Sequence, residues 1–276
     1  MIDYGKRDVL GVHVDALDLD CAVDRIAQFA RQQRPMSVTA LAVHGLIVAT
    51  QDPDLRAALN DFDLVLPDGQ PVRWALDLLH RLDLPDKVPG PTVVNRLLEI
   101  AAAEGLRVYF YGSTPETLAL IRSELEARFD GRLDLVATPS KFRSVDADEL
   151  DAIVDEINDS GANVCFVGLG CPRQERFVAA TAASLNMPSL AVGAAFDYIA
   201  GNIDRAPELM QRAGLEWLYR TAQEPRRLAG RYLNTNSRFV AGVARQYGAK
   251  VARRSAGDND DVIHVPSRDR DVMIDA

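Results

Sequence analysis

The sequence predicts an α/β fold: a mostly parallel sheet flanked by helices, with a C-terminal helical appendage. Short β-rich runs alternate with segments of helical apolar spacing through the first 204 residues, the pattern of strand–helix–strand units. After Arg205 the pattern turns to helix only. With 47% apolar and 26% charged residues, the chain has the composition of a folded globular protein rather than a disordered or fibrous one.

In chain order the expected strands are 11–15, 37–43, 62–66, 107–112, 133–137, 163–168 and 189–194. Between them, apolar residues recur at helical spacing over 22–33, 52–60, 92–104, 115–129, 147–158 and 172–185. Ser113-Thr114-Pro115-Glu116 sets capping residues before a proline at the first helical position. Asp146-Ala147-Asp148-Glu149 places acids where a helix N-terminus prefers them. Pro225 should break the helical region, because proline lacks the N–H a helix interior needs. From this pattern the sheet is Rossmann-like. The expected units are an α/β body over 1–204, a basic helical appendage over 205–254, and an acidic mobile tail over 255–276.

Several function classes fall away. No run approaches the ~18 apolar residues of a transmembrane helix, and the N-terminus does not read as a secretory signal. Cys21, Cys165 and Cys171 have no disulfide or metal spacing, which fits a reducing cytosol. His13, His44, His80 and His264 do not fall at metal-ligand spacing, so no metal site is expected. There is no G-x-S-x-G elbow. A Rossmann oxidoreductase is disfavoured because no strand leads into G-x-G-x-x-G.

The net charge of −9 argues against nucleic-acid binding, but it hides an asymmetry. Residues 205–254 hold eleven Lys/Arg against three Glu, or +8, and the tail carries −4, leaving −13 on residues 1–204. A basic helix is usually a solvated face. Here Trp217, Leu218, Tyr219, Leu228, Tyr232, Leu233 and Phe239 interleave with the arginines, a mixture that also suits an anionic membrane surface.

Ligands of open α/β sheets sit beyond the carboxyl ends of the strands, and four strand-end loops have unusual content. Pro67-Asp68-Gly69 reads either as a plain turn or as a carboxylate held for general-base work; the local sequence alone favours the turn. Gly112-Ser113-Thr114-Pro115 is a βα loop with good caps, and equally a place where backbone N–H groups approach a phosphate. In Gly168-Leu169-Gly170-Cys171-Pro172-Arg173-Gln174-Glu175, Arg173 and Gln174 add a cation and an amide near two glycines, which leans towards an anionic ligand. Cys171 reads as small apolar filler rather than a nucleophile. In Gly193-Ala194-Ala195-Phe196-Asp197, small residues such as Ala195 would admit a flat ring. Asp197 would accept from an imide or ribose group there, and Phe196 reads as core more readily than as a stacking platform.

Five segments in order resemble the WecG/TagA/CpsF family of bacterial glycosyltransferases: DFDLVLPDGQPVRWA (61–75), RVYFYGSTPET (107–117), VCFVGLGCPRQERF (164–177), AVGAAFDYIAGNIDRAP (191–207) and GLEWLYRTAQEPRRLAGRYL (214–233). The resemblance implies an inverting, metal-independent transfer, with no cofactor, from a UDP-sugar donor to a polyprenyl-diphosphate-linked sugar. The donor sugar would be N-acetylmannosamine-like, its uronic acid, or glucose, and the product would serve cell-surface polysaccharide assembly. It implies Asp68 as general base, with Thr39 and Gln174 beside it. Gly112, Ser113, Gly168, Gly170, Arg173, Ala195, Phe196 and Asp197 would house the UDP moiety and donor sugar. Arg220, Arg226, Arg227 and Arg231 would meet the diphosphate. The expected place is the cytoplasmic side of the cell membrane, held peripherally through the appendage, with no nucleic-acid partner and self-association left open. Members often carry Thr-x-Asn where this chain reads Thr39-Ala40-Leu41, and Gly-x-Asp where it reads Gly90-Pro91-Thr92. The lost amide motivates one alternative, a non-catalytic nucleotide-binding protein of the same descent.

Overall fold

The computed structural model describes residues 1–141, 143, 146–223 and 225–255. The side chains at 208, 220, 225–229, 231–233, 254 and 255 fall outside that description, as does the expected tail beyond Ser255. The chain opens with β1 (Asp3–Val9), β2 (Val12–Leu17), α1 (Leu19–Arg31), β3 (Met36–Leu41), α2 (Val43–Gln51), α3 (Pro53–Asn60) and β4 (Leu64–Pro67). It continues with α4 (Gln70–His80), α5 (Gly90–Glu104), β5 (Val108–Gly112), α6 (Pro115–Phe129), β6 (Leu135–Thr138) and α7 (Ala147–Asp159). Then come β7 (Val164–Gly168), α8 (Arg173–Thr181), β8 (Pro188–Ala191) and α9 (Ala195–Ile199). The appendage is α10 (Glu208–Arg212), α11 (Glu216–Gln223) and α12 (Pro225–Ser255).

Six strands form one sheet in the order β4-β3-β8-β7-β5-β6, with every pairing parallel. Neighbouring residues along β5 and β7 enter different cores: Tyr109, Tyr111, Cys165 and Val167 lie on one face, and Val108, Phe110, Val164 and Phe166 on the other. Burial on both faces is why these strands read as unbroken apolar runs. The expected caps form: Thr114 accepts from the Thr117 N–H at 3.2 Å, and Asp146 from the Glu149 N–H at 2.9 Å. Pro225 stands at the first position of α12, where the missing N–H costs nothing.

The 11–15 run is a strand, but it lies outside the parallel sheet. β2 pairs antiparallel with β1, because Leu10 and Gly11 both take positive φ (57° and 85°) and close a two-residue turn. This hairpin covers the β4 edge. Asp15, 3% exposed, accepts from the Val65 N–H at 2.6 Å, and the Lys6 ammonium donates to the Phe62 carbonyl. An otherwise open edge strand is thereby satisfied.

The appendage is fastened to the body at both ends. Phe239 and Val243 of α12 belong to the same buried cluster as β2 and α2. Gln246 accepts from the Leu10 N–H at 2.9 Å, and Lys250 meets His80 at 3.1 Å. Nearer the sheet's carboxyl end, Glu216 accepts from the buried Lys87 ammonium. No helix among the described residues is long and apolar enough to cross a membrane.

Burial raises the Asp15 carboxyl from 3.8 to about 6, against the opposing pull of Lys6 and the Val65 N–H. The folded value exceeds the unfolded one, so folded protein holds this proton longer and the group costs stability as pH rises from about 4 through 6. Asp15→Asn keeps an oxygen for the Val65 N–H and removes the charge. Its stability advantage over wild type should grow across that window and level at on the order of 1–3 kcal/mol near pH 7, read from urea midpoints.

Candidate active site

A cavity of about 620 Å³ opens at the carboxyl end of the sheet. Its walls come from the loops after β3, β4, β5, β7 and β8, with residues 89–92 and the start of the appendage closing the outer side. The chain leaves β3 towards β4 on one side, while β8 and β7 lie on the other. A reversal of strand order of this kind leaves a crevice between diverging loops.

Asp68 is half-buried in this wall. Its N–H donates to the Leu41 carbonyl at 3.3 Å, which ties the turn after β4 to the end of β3. Gly69, at φ 92°, then swings the chain into α4, a conformation costly for any residue with a Cβ. The Pro-Asp-Gly sequence is therefore a structural turn and also a holder of a carboxylate.

Gln174 enters from the opposite side on α8 and is 5% exposed. Its Oε1 accepts from the Gly170 N–H at 3.2 Å, and its Nε2 donates to Glu175 Oε1 at 2.9 Å. A Cβ on Gly193 would stand 2.7 Å from Gln174 Oε1, so the amide needs glycine opposite it. Gly170 also lines the cavity, and a Cβ there would meet nothing within 4 Å.

Gly112 and Gly168 prove to be packing positions. A Cβ on Gly112 would lie 2.6 Å from the Gly168 carbonyl oxygen, and one on Gly168 would lie 2.9 Å from the Phe196 ring. Phe196 in turn sits edge-on to Phe110 at 5.1 Å, so it is core and cavity wall together. Ser113, at φ 58°, lines the cavity and donates its N–H to the Gly168 carbonyl at 3.0 Å. Asp197 is half-buried in the same wall.

Other expected site residues fall elsewhere. Thr39 is fully buried on β3, behind the cavity lining. Gly112 and Ala195 are also set back from it, and Arg173 is exposed outside it. Arg220 lies on α11, and Arg226, Arg227 and Arg231 lie on α12; their side chains are outside the described residues.

Four participating residues escaped the sequence reading. Arg205 lines the cavity, 5.9 Å above the Tyr198 ring. Glu216 and Trp217 bring the appendage into the outer wall. Glu175, 2% exposed, lines the cavity beside Gln174. Burial pushes its carboxyl above the usual range; Gln174, its own N–H, the Cys171 thiol and the Thr39 hydroxyl pull the other way. An acid in the first turn of a helix reads from sequence as a dipole partner, and nothing local shows that it points inward. Among the described residues no group of three His, Cys, Asp or Glu is placed to hold a metal ion.

Residues 7–253 match the Glyco_tran_WecG family, described as the glycosyl transferase WecG/TagA/CpsF family. The chain belongs to this family. It is thus a glycosyltransferase, and the cavity is the place where the turns of its family segments meet. The segments with the highest glycine content supply the wall around Gly168 and Gly193, and the GLEWLYR segment supplies the outer wall at Glu216 and Trp217.

For this glycosyltransferase the glycine wedge gives a stability test. Gly112→Ala combines a positive φ (118°) with a backbone collision. Urea unfolding should show a loss above about 2 kcal/mol. Gly170→Ala meets only its φ (77°) and should lose about 1 kcal/mol.

Proposed function

We propose that this glycosyltransferase moves a sugar from a UDP-sugar to a polyprenyl-diphosphate-linked sugar, with inversion at the transferred carbon and without a metal. The observation that carries the reading is the convergence of Asp68 and Gln174, from opposite sides of the strand-order reversal, on one cavity. Asp68 takes the proton of the acceptor hydroxyl as that oxygen bonds to the anomeric carbon of the donor. The bond from that carbon to the diphosphate oxygen breaks, and UDP leaves with the electron pair. A carboxylate suits this role, since the attacking hydroxyl becomes acidic only as the new bond forms.

The departing diphosphate gains charge and needs cations or oriented N–H groups. Arg205 supplies one guanidinium among the described lining residues. The resemblance adds Arg220, Arg226, Arg227 and Arg231, whose planar forks match phosphate oxygens. Gln174 positions the diphosphate or donor sugar, and the wall around Ser113, Phe196 and Asp197 takes the nucleoside.

A lipid-linked acceptor places the reaction at a membrane. The +8 charge of residues 205–254 and the exposed Leu209, Leu215 and Leu218 beside it support peripheral attachment through the appendage to an anionic surface. On this reading the enzyme works at the cytoplasmic face.

The test is transfer from a panel of UDP-sugars to a short-chain lipid-diphosphate-sugar acceptor, followed by mass spectrometry. Asp68→Asn should lower kcat by about 10²–10⁴-fold while UDP affinity, by calorimetry, stays within about threefold. Turnover undiminished in this variant removes Asp68 as the base. UDP binding by the wild type with no transfer across the panel would return the non-catalytic alternative.

A further inference from the structure

We propose that Glu175 is a positioning residue: its buried carboxyl fixes the Gln174 amide in one orientation and so presents it to the ligand in the cavity. The inference rests on the transferase reading above for its kinetic part, and on the geometry alone for the rest.

A side-chain amide can turn over by half a revolution, exchanging its donor and acceptor ends at little cost in shape. At Gln174 that freedom is removed from two directions. The Gly170 N–H can only donate, so it demands the oxygen at 3.2 Å. Glu175 Oε1 accepts from Nε2 at 2.9 Å, so it demands the nitrogen. Gly193 leaves the amide its room, since a Cβ there would stand 2.7 Å from Oε1 and 3.3 Å from Nε2. With one N–H committed to Glu175, the other is left for a ligand in the cavity that both residues line.

The state of the carboxyl follows from its surroundings. Glu175 is 2% exposed, and the groups that oppose its burial are an amide, a backbone N–H, a thiol and a hydroxyl, with no cation among them. A carboxylate stripped of water and lacking a counter-charge takes up a proton instead. Since Oε1 accepts from Gln174, the proton falls to Oε2. Neither that oxygen nor Thr39 Oγ1 reaches strict hydrogen-bond geometry with a protein group, yet the hydroxyl stands close enough to act on the carboxyl.

A neutral acid and a primary amide share a carbonyl acceptor beside a donor atom, O–H in one and NH2 in the other, on nearly the same shape. Glu175→Gln should accordingly keep Gln174 fixed, whereas Glu175→Ala and the volume-matched Glu175→Met should release it. The first measurement uses protein labelled with ¹⁵N in its glutamine side chains. One slowly exchanging Gln174 amide proton is expected in wild type and Glu175→Gln, and its loss in Glu175→Met and Glu175→Ala. The second measures transfer from the UDP-sugar. Glu175→Met should lower kcat by about 10–100-fold with KM for the donor within about threefold, and Glu175→Gln should recover to within about fivefold of wild type. A Gln174 resonance unchanged in Glu175→Met overturns the proposal, and so does a Glu175→Gln enzyme as poor as Glu175→Met, which would show that the negative charge is what matters. If the wild type transfers no sugar, the reaction assignment fails, while the amide resonances still decide whether Glu175 holds Gln174.

Discussion

A parallel sheet buried on both faces has nowhere along its strands to put polar chemistry. Tyr109, Phe110, Cys165 and Phe166 show the constraint: each successive side chain enters one of two apolar cores. The strand ends are where side chains are free of both layers, and parallel strands bring all their carboxyl ends to one edge. The half-buried Asp68, the amide of Gln174 and the packed glycines of the β5 and β7 loops are all results of that placement. Each is built on the last residue of a strand or within a few residues of it.

The appendage is held by similar means. Phe239 and Val243 insert α12 into the core that the β1–β2 hairpin helps to cover. Gln246 reads the hairpin turn through the Leu10 N–H. The start of the appendage meets α4 at the cavity mouth, where a Cβ on Gly214 would stand 2.7 Å from the Trp74 ring. The Lys87–Glu216 ion pair adds a charged tie there. The basic segment is joined to the sheet domain by apolar packing at one end and by a buried ammonium at the other, so its charge is presented from a fixed base.

Much of this could be read from the sequence for one reason: double burial leaves apolar runs, and Gly, Pro and capping residues mark where the runs stop. β1 escaped because DYGKRDV is polar and its strand is only partly buried. α2 escaped because VHGLIVATQ is apolar nearly all round, and without a polar face a short helix resembles a strand. α4 carried a usable signal in Val72, Ala75, Leu76 and Leu79, overlooked beside the Pro-Asp-Gly turn. In the site, Asp68 and Gln174 were legible because a strand end and a glycine loop announce them. The inward turn of Glu175, the retreat of Thr39 and the Lys87–Glu216 pair were not, since each depends on residues distant in sequence.

The contact of Gly112 on Gly168 on Phe196 has a consequence for how such an enzyme can change over generations. A side chain at either glycine would strike backbone or ring atoms, so this wall admits almost no single-step variation. Gly170, where a Cβ would meet nothing within 4 Å and only the positive φ resists a side chain, and the outer wall at Pro89, Pro91, Thr92 and Gln211 face no such collision. Drift in the shape of the pocket is thereby channelled to one side, and a lineage that alters what it accepts will record the change opposite the glycines rather than among them.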